Sequence, residues 1–130
     1  MLLVSGFALW RGGWPERVAS VANLLAWLVS PFAENGRDWV DPQWGLLAVD
    51  AAFLGVLLVL ALRTDRTWLL WACAFQLLGV VTHGAMMADR SVGAWAYLTA
   101  SVIWSYLVLA ALAVGAWTCW RRRAGGARVG

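Results

Sequence analysis

The side chains that could carry chemistry in this sequence are the few polar ones that interrupt its apolar segments. They form a candidate intramembrane polar site made of Asp50, Gln76, His83, Tyr97, Ser101 and Ser105. An ionisable group in an apolar segment is costly at bilayer depth unless it is paired, neutralised or hydrated. We therefore expect Asp50 and His83 to be partners.

Helical spacing brings these side chains to one level. With a rise of about 1.5 Å per residue, Asp50 lies about 9 Å from the outer end of its helix, and His83 lies at about the same depth. Residues at i, i+4 and i+8 share a helix face, which aligns Tyr97, Ser101 and Ser105. These faces are predicted to meet Asp50 and to form a polar pocket in the outer half of the bundle.

Three roles are open for the Asp50 and His83 pair. The pair could fix the register of two helices, since polar contacts in membranes contribute about 0.6 kcal/mol on average. It could transfer a proton, because histidine titrates near neutrality. It could also bind a ligand or metal, although one His, one Asp and the distant Cys73 and Cys119 make a poor metal set.

No group of residues predicts catalysis. The sequence contains no recognisable carboxylate pair, nucleophile with its base, or metal cluster in these segments. We accordingly predict no catalytic residue, no metal, no cofactor and a protein that is not an enzyme.

The elements that position the polar site follow from composition. The chain has 130 residues, of which 62% are hydrophobic and 13% charged, with a mean hydropathy of +0.70. This profile excludes a disordered, collagen-like or nucleic-acid-binding tail protein and favours the lipid bilayer as solvent. The net charge of +3 comes with ten arginines and no lysine, so charge alone indicates no anionic partner.

Four apolar segments have about the 20 residues that a helix needs to cross a bilayer. They cover about 15–33, 44–62, 68–88 and 92–120. The run 2–10 is too short to cross, so it is predicted to be an interfacial or partly inserted helix. We expect an all-α, antiparallel four-helix bundle as one transmembrane domain over 1–123, followed by a mobile tail over 124–130.

Arginines and tryptophans predict the orientation, because cations are retained on the cytoplasmic side. One side carries Arg11, Arg17, Arg63, Arg66, Arg121, Arg122, Arg123 and Arg128, against only Arg37 and Arg90 on the other. The C-terminus is thus predicted to be cytoplasmic in a bacterial inner membrane. Indoles that keep a hydrated N–H are expected at the inner boundary, at Trp10, Trp14, Trp68, Trp71, Trp117 and Trp120.

Short motifs are distributed over most of the chain. They are Arg11-Gly12-Gly13, Pro15-Glu16-Arg17, Gln43-Trp44-Gly45, Val49-Asp50, Leu70-Trp71, Gln76-Leu77, Thr82-His83, Ala96-Tyr97 and Trp104-Ser105-Tyr106. The combination resembles a group of small, uncharacterised bacterial multi-spanning membrane proteins. That resemblance implies a membrane location and carries no activity.

Two functions of different classes follow. The first is an accessory or scaffold subunit that packs against itself or a larger membrane complex, with lipid and protein but no nucleic acid as partners. Small residues spaced by four, such as Ala51 and Gly55 or Ala111 and Gly115, permit such close packing. The second is a small transporter or proton-coupled channel built on Asp50 and His83. Transport needs a hydrated route past the middle of the bilayer, and few polar groups lie in the inner half, so we favour the subunit.

Overall fold

The protein is described by a computed structural model that covers residues 1–33, 44–88 and 93–126. These residues form five helices and, within the described ranges, no strand. The helices are α1 (Leu2–Arg11), α2 (Trp14–Ala33), α3 (Trp44–Arg63), α4 (Thr67–Ala88) and α5 (Ala94–Gly126). The predicted all-α class is confirmed.

The helix boundaries lie close to the predicted segments. The predicted outer loop 34–43, the turn at 89–91, the start of the fourth segment at 92 and the last residues 127–130 lie outside the described residues. α5 continues to Gly126, past the point where the tail is predicted to begin. The arginines at 121–123 favour this extension, because cations interact well with the partial negative charge at a helix C-terminus.

Three of the helices are long and apolar enough to cross a membrane. They are α3, α4 and most of α5, over Trp95–Gly125. α2 has the length of a span, but its composition does not place it among these three. Glu16, Arg17 and Asn23 lower its hydropathy.

The helices pack in chain order around one apolar core. α3 lies between α2 and α4, α4 packs against α5, and α1 fills part of the space between α5 and α2. The core is formed by Ala8, Ala19, Phe53, Leu57, Leu60, Trp68, Leu69, Ala72, Val108, Ala111, Leu112 and Ala116. We call the end that bears the turn at 64–66 and the arginines at 121–123 the arginine-rich end, and the other the opposite end.

A tight turn at the arginine-rich end joins α1 to α2. At Gly12 a side chain would collide with the carbonyl oxygen of Ala8, so the close approach requires glycine. Further along the hairpin, the Ser20 hydroxyl donates to the Ser5 carbonyl at 3.0 Å. α1 therefore lies against α2 and α5, with Ser5 and Ala8 buried.

Candidate functional site

Three helices contribute to one hydrogen-bonded network at the predicted polar site. His83 Nε2 lies 2.9 Å from Asp50 Oδ2, and Gln76 Nε2 donates to Asp50 Oδ1 at 3.0 Å. The Tyr97 hydroxyl lies 3.0 Å from His83 Nδ1. The predicted contact between Asp50 and His83 is therefore confirmed, and α3, α4 and α5 are joined through it.

One tautomer of a neutral His83 is compatible with the contacts among Asp50, Gln76, His83 and Tyr97. A carboxylate accepts only, so Gln76 and the Nε2–H of His83 both donate to Asp50. The unprotonated Nδ1 then accepts the hydroxyl proton of Tyr97. The His83 and Tyr97 rings also meet edge to face, with centroids 5.4 Å apart. A neutral His83 with its proton on Nε2 uses all of its partners.

The network faces a cavity, which we call the polar cavity. Its volume is about 210 Å³, and all six residues of the predicted site line it. The Ser101 hydroxyl donates to the carbonyl of Tyr97, and that of Ser105 to the carbonyl of Ser101, both at 2.9 Å. The serines therefore contribute their oxygens to the wall, while their protons stay within α5.

α2 supplies a wall that the predicted site lacks. Asn23, Ala26, Trp27 and Ser30 all line the polar cavity. The Asn23 side-chain nitrogen is buried and has no hydrogen-bond partner in the described part of the chain. These four residues follow the spacing i, i+3, i+4 and i+7, so the helical pattern that aligned the serines could also have found them.

Below the cavity, the space among α3, α4 and α5 is closed by apolar side chains. Leu57, Leu69, Ala72 and Leu112 are each at most 2% exposed, and we call them the apolar layer. The layer lies between Gln76 and Trp68, which are about 12 Å apart along α4. On the α2 side, the buried Ser20 lies between Glu16 and Asn23, so the space is apolar among α3, α4 and α5 but not along α2.

A second polar group, not found from the sequence, lies at the arginine-rich end. Glu16 is fully buried. Its carboxylate accepts the backbone N–H of Gly13 at 2.9 Å and the indole N–H of Trp68 at 3.1 Å. Trp68 is only 6% exposed, and its N–H is bonded to Glu16. The prediction that this N–H is hydrated is wrong. The buried carboxylate replaces water as its acceptor.

The local sequence explains why Glu16 turns inward. Its position, three residues after Gly13, is the one from which a glutamate reaches back to the N–H that precedes a helix. This partial capping box was the available signal in Gly13-Trp14-Pro15-Glu16. Gly115 completes the enclosure, because a Cβ there would lie 2.6 Å from the Trp68 ring. The two glycines thus permit the burial of Glu16 and Trp68.

Comparison with known proteins adds no relative. No family model matches the chain, and neither the curated proteins nor the solved structures contain a match. Within residues 1–33, 44–88 and 93–126, no three His, Cys, Asp or Glu side chains lie together as metal ligands would. The two polar groups and the helix surfaces are therefore the features from which a function can be inferred.

Proposed function

We propose that this protein is a small, non-enzymatic accessory or scaffold subunit of a bacterial inner membrane. In this proposal α2 to α5 form an antiparallel bundle of four spans, α1 is partly inserted, and the C-terminus is cytoplasmic. The observation that carries the proposal is the apolar layer that separates the polar cavity from Trp68 among α3, α4 and α5. A structural subunit needs no hydrated route through this layer, whereas a transporter does.

The outer surfaces of the helices support a role in assembly within lipid. Large apolar side chains are strongly exposed on several helices, including Leu3, Phe32, Leu62 and Trp95. Soluble monomers rarely expose such extensive apolar surface, which is typical of contact with lipid or with another protein. Lipid and a second protein are the partners that we propose.

The small-residue pairs differ in what surrounds them. Gly115 faces Trp68 inside the protein, so its pair with Ala111 serves internal packing. Ala51 is exposed, and a Cβ at Gly55 would meet nothing within 4 Å. We propose the face of α3 that carries Ala51 and Gly55 as the seam between copies or with a larger complex.

Purification in mild detergent followed by mass spectrometry tests the assembly. We expect a homo-oligomer or a stoichiometric partner, and Gly55→Leu should disrupt it. Gly84→Leu is the matched control, because Gly84 is equally open but lies on α4. A monomer without a partner, or equal effects of the two variants, would contradict this proposal.

Reporter fusions test the orientation. A fusion at Gly130 and a fusion beside Asn35 should report opposite compartments, with Gly130 cytoplasmic. An externally accessible Gly130 would overturn the proposed topology.

A proton-coupled channel is the second candidate function. It is favoured by the chain of contacts from Tyr97 through His83 to Asp50, which opens onto a cavity. Vesicles with an internal pH-sensitive dye separate the two functions. The channel predicts proton flux that is lost in Asp50→Asn with His83→Gln, whereas the subunit predicts no flux and an intact assembly in that double variant.

A further inference from the structure

The polar cavity occupies a gap that α1 is too short to fill. The ten residues of α1 extend for about 15 Å, whereas the twenty of α2 extend for about 30 Å. Phe7 of α1 lies beside Val114 and Trp117 of α5, so α1 covers α5 near the arginine-rich end. The cavity lies nearer the opposite end, between Asn23 to Ser30 of α2 and Tyr97 to Val108 of α5. Among the described residues, no helix fills this gap.

The wall of the polar cavity offers more acceptors than donors. A carboxylate has about four acceptor positions. In Asp50, one oxygen accepts a hydrogen bond from Gln76 and the other accepts one from His83. The side chain of Asp50 is 36% exposed, so further acceptor positions are open to a ligand. The hydroxyl protons of Ser30, Ser101 and Ser105 are donated to backbone carbonyls of their own helices. Their oxygens therefore remain acceptors, and a ligand must supply donors.

One donor on the wall requires an acceptor from the ligand. Asn23 is 4% exposed, and its amide nitrogen has no partner in the part of the chain that the structure describes. Buried amide groups in native proteins are nearly always hydrogen-bonded. The nitrogen has almost no exposed surface, so the Asn23 side chain must rotate toward the cavity before a ligand oxygen can satisfy this group.

The charge of the wall selects the kind of donor. Asp50 is ionisable and acidic, and none of the arginines within residues 1–33, 44–88 and 93–126 lines the cavity. Trp27 and Phe53 contribute aromatic rings, which attract cations through their faces. An ammonium group matches both features, because it supplies three donors and a positive charge.

We propose that the polar cavity binds an ethanolamine unit, with its ammonium group at Asp50 and its oxygen at Asn23. This oxygen is a hydroxyl in the free amino alcohol and a phosphate-ester oxygen in a lipid headgroup. The cavity of about 210 Å³ has the volume of about seven water molecules, so an ethanolamine unit fits with water beside it. The unit is either a free molecule or the headgroup of an aminophospholipid that enters through the gap above α1. This site is independent of the assembly proposed above, and each can fail without the other.

Three matched probes test the recognition in detergent micelles that contain no aminolipid. Ethanolamine has both groups, propylamine lacks the hydroxyl, and propanol lacks the ammonium. Ligand-observed NMR titration should give ethanolamine the lowest Kd, with propylamine about fivefold weaker, as expected for one lost hydrogen bond. Equal affinities for the three probes, or no binding of ethanolamine, would overturn the proposal.

Variants test the two contacts separately. Asn23→Leu should make ethanolamine bind no better than propylamine, and Asp50→Asn should weaken both amines at least about tenfold. Thr99→Val is the control, because the Thr99 hydroxyl is exposed and bonded to its own helix. Ser101→Leu places a larger apolar side chain in the cavity while Asp50 is retained, and it should abolish binding. Unchanged binding in Ser101→Leu would refute the site.

Lipid nanodiscs separate the two sources of the ligand. Phosphatidylethanolamine should occupy the site and block free ethanolamine if the headgroup is the ligand, whereas phosphatidylcholine, which lacks N–H donors, should not. Equal binding of free ethanolamine in both nanodiscs assigns the site to a free amino alcohol. Binding blocked equally by both lipids would overturn the proposal, because it would show no dependence on the amine.

Discussion

Two carboxylates among the described residues, Glu16 and Asp50, are held in different ways. Glu16 accepts from the backbone N–H of Gly13 and the indole N–H of Trp68, and it is fully enclosed. Asp50 accepts from Gln76 and His83, and part of its side chain faces the polar cavity. Both carboxylates have two partners, but only one of them is accessible.

The donor and acceptor groups around each carboxylate determine whether that carboxylate can be protonated or replaced without loss of a hydrogen bond. A backbone N–H and an indole N–H can only donate, so Glu16 must offer two acceptors. The imidazole of His83 can donate or accept at either nitrogen, according to its tautomer. The Glu16 contacts are therefore rigid and suit a structural role, whereas the Asp50 network can adapt to a change of its ligand or its protonation.

The largest effect is expected from removal of each carboxylate. Glu16→Ala leaves two buried donors without a partner, at about 1–3 kcal/mol each, and should lower the free energy of unfolding by about 2–5 kcal/mol. Asp50→Ala should cost about 1–2 kcal/mol, because water in the cavity can replace the lost oxygens. Unfolding in mixed detergent micelles, followed by circular dichroism, measures both. A larger loss for Asp50→Ala would contradict the contrast.

Conversion of each carboxylate to its amide is a sharper comparison. In Glu16→Gln the new NH₂ group faces a donor, so we expect a cost of about 1–3 kcal/mol. In Asp50→Asn the amide donates to His83 Nε2, and Nδ1–H then donates to Tyr97, so the cost should stay below about 0.6 kcal/mol. The same unfolding measurement applies, and NMR of the His83 ring nitrogens should show the exchanged tautomer. Equal costs for the two amides would exclude this tautomer argument.

The enclosure of Glu16 gives a third prediction. Gly115→Ala places a methyl group against the Trp68 ring and should cost about 1–3 kcal/mol, as overpacking does. Gly84→Ala is the matched control, because the space there is open and Gly84 lies outside the proposed seam, and it should be neutral or stabilising by about 0.5–1 kcal/mol. Trp68 emission should shift only in the first variant. A neutral Gly115→Ala would show that Trp68 can move without disturbing Glu16.

The polar residues of α3, α4 and α5 were predictable because helical periodicity fixes both depth and face. Asp50 and His83 lie at matching distances from helix ends, and the structure joins them at 2.9 Å. The contribution of Asn23 was missed because α2, alone among the four long helices that the structure describes, does not reach the hydropathy of a membrane span, and its polar residues look compatible with a boundary. The seven-residue spacing of Asn23 and Ser30 places both on one face of α2. It predicts a shared site only when that face is known to point toward the other helices.

The inward course of Glu16 could not be read from hydropathy. A glutamate beside Arg17 at the end of a long apolar helix is usually hydrated. In the sequence, the rest of α2 and the whole of α3 lie between Glu16 and Trp68. What reverses this expectation is the tight turn at Gly12 and the absence of a side chain at Gly115. Such tertiary space is created by three helices together, so no local pattern reports it.

The smallest effect is expected at the edge of the adaptable network. Tyr97→Phe removes the hydroxyl at His83 Nδ1 but keeps the ring that meets the imidazole edge to face. The bond from His83 to Asp50 remains, so the cost should be about 0.6 kcal/mol, the average for a polar contact in a membrane protein.

Tyr106→Phe is the matched control for this last change, because Tyr106 lies on the same helix and is exposed. We expect no measurable loss of stability there. Comparison of the two variants shows whether the Tyr97 hydroxyl stabilises the network through its hydrogen bond or whether only the ring contributes, by packing. If Tyr97→Phe unfolds as easily as Asp50→Ala, the network is as rigid as the Glu16 contacts, and the contrast between the two carboxylates fails. If it matches Tyr106→Phe, the hydroxyl contributes nothing, and the network consists of Gln76, Asp50 and His83 alone.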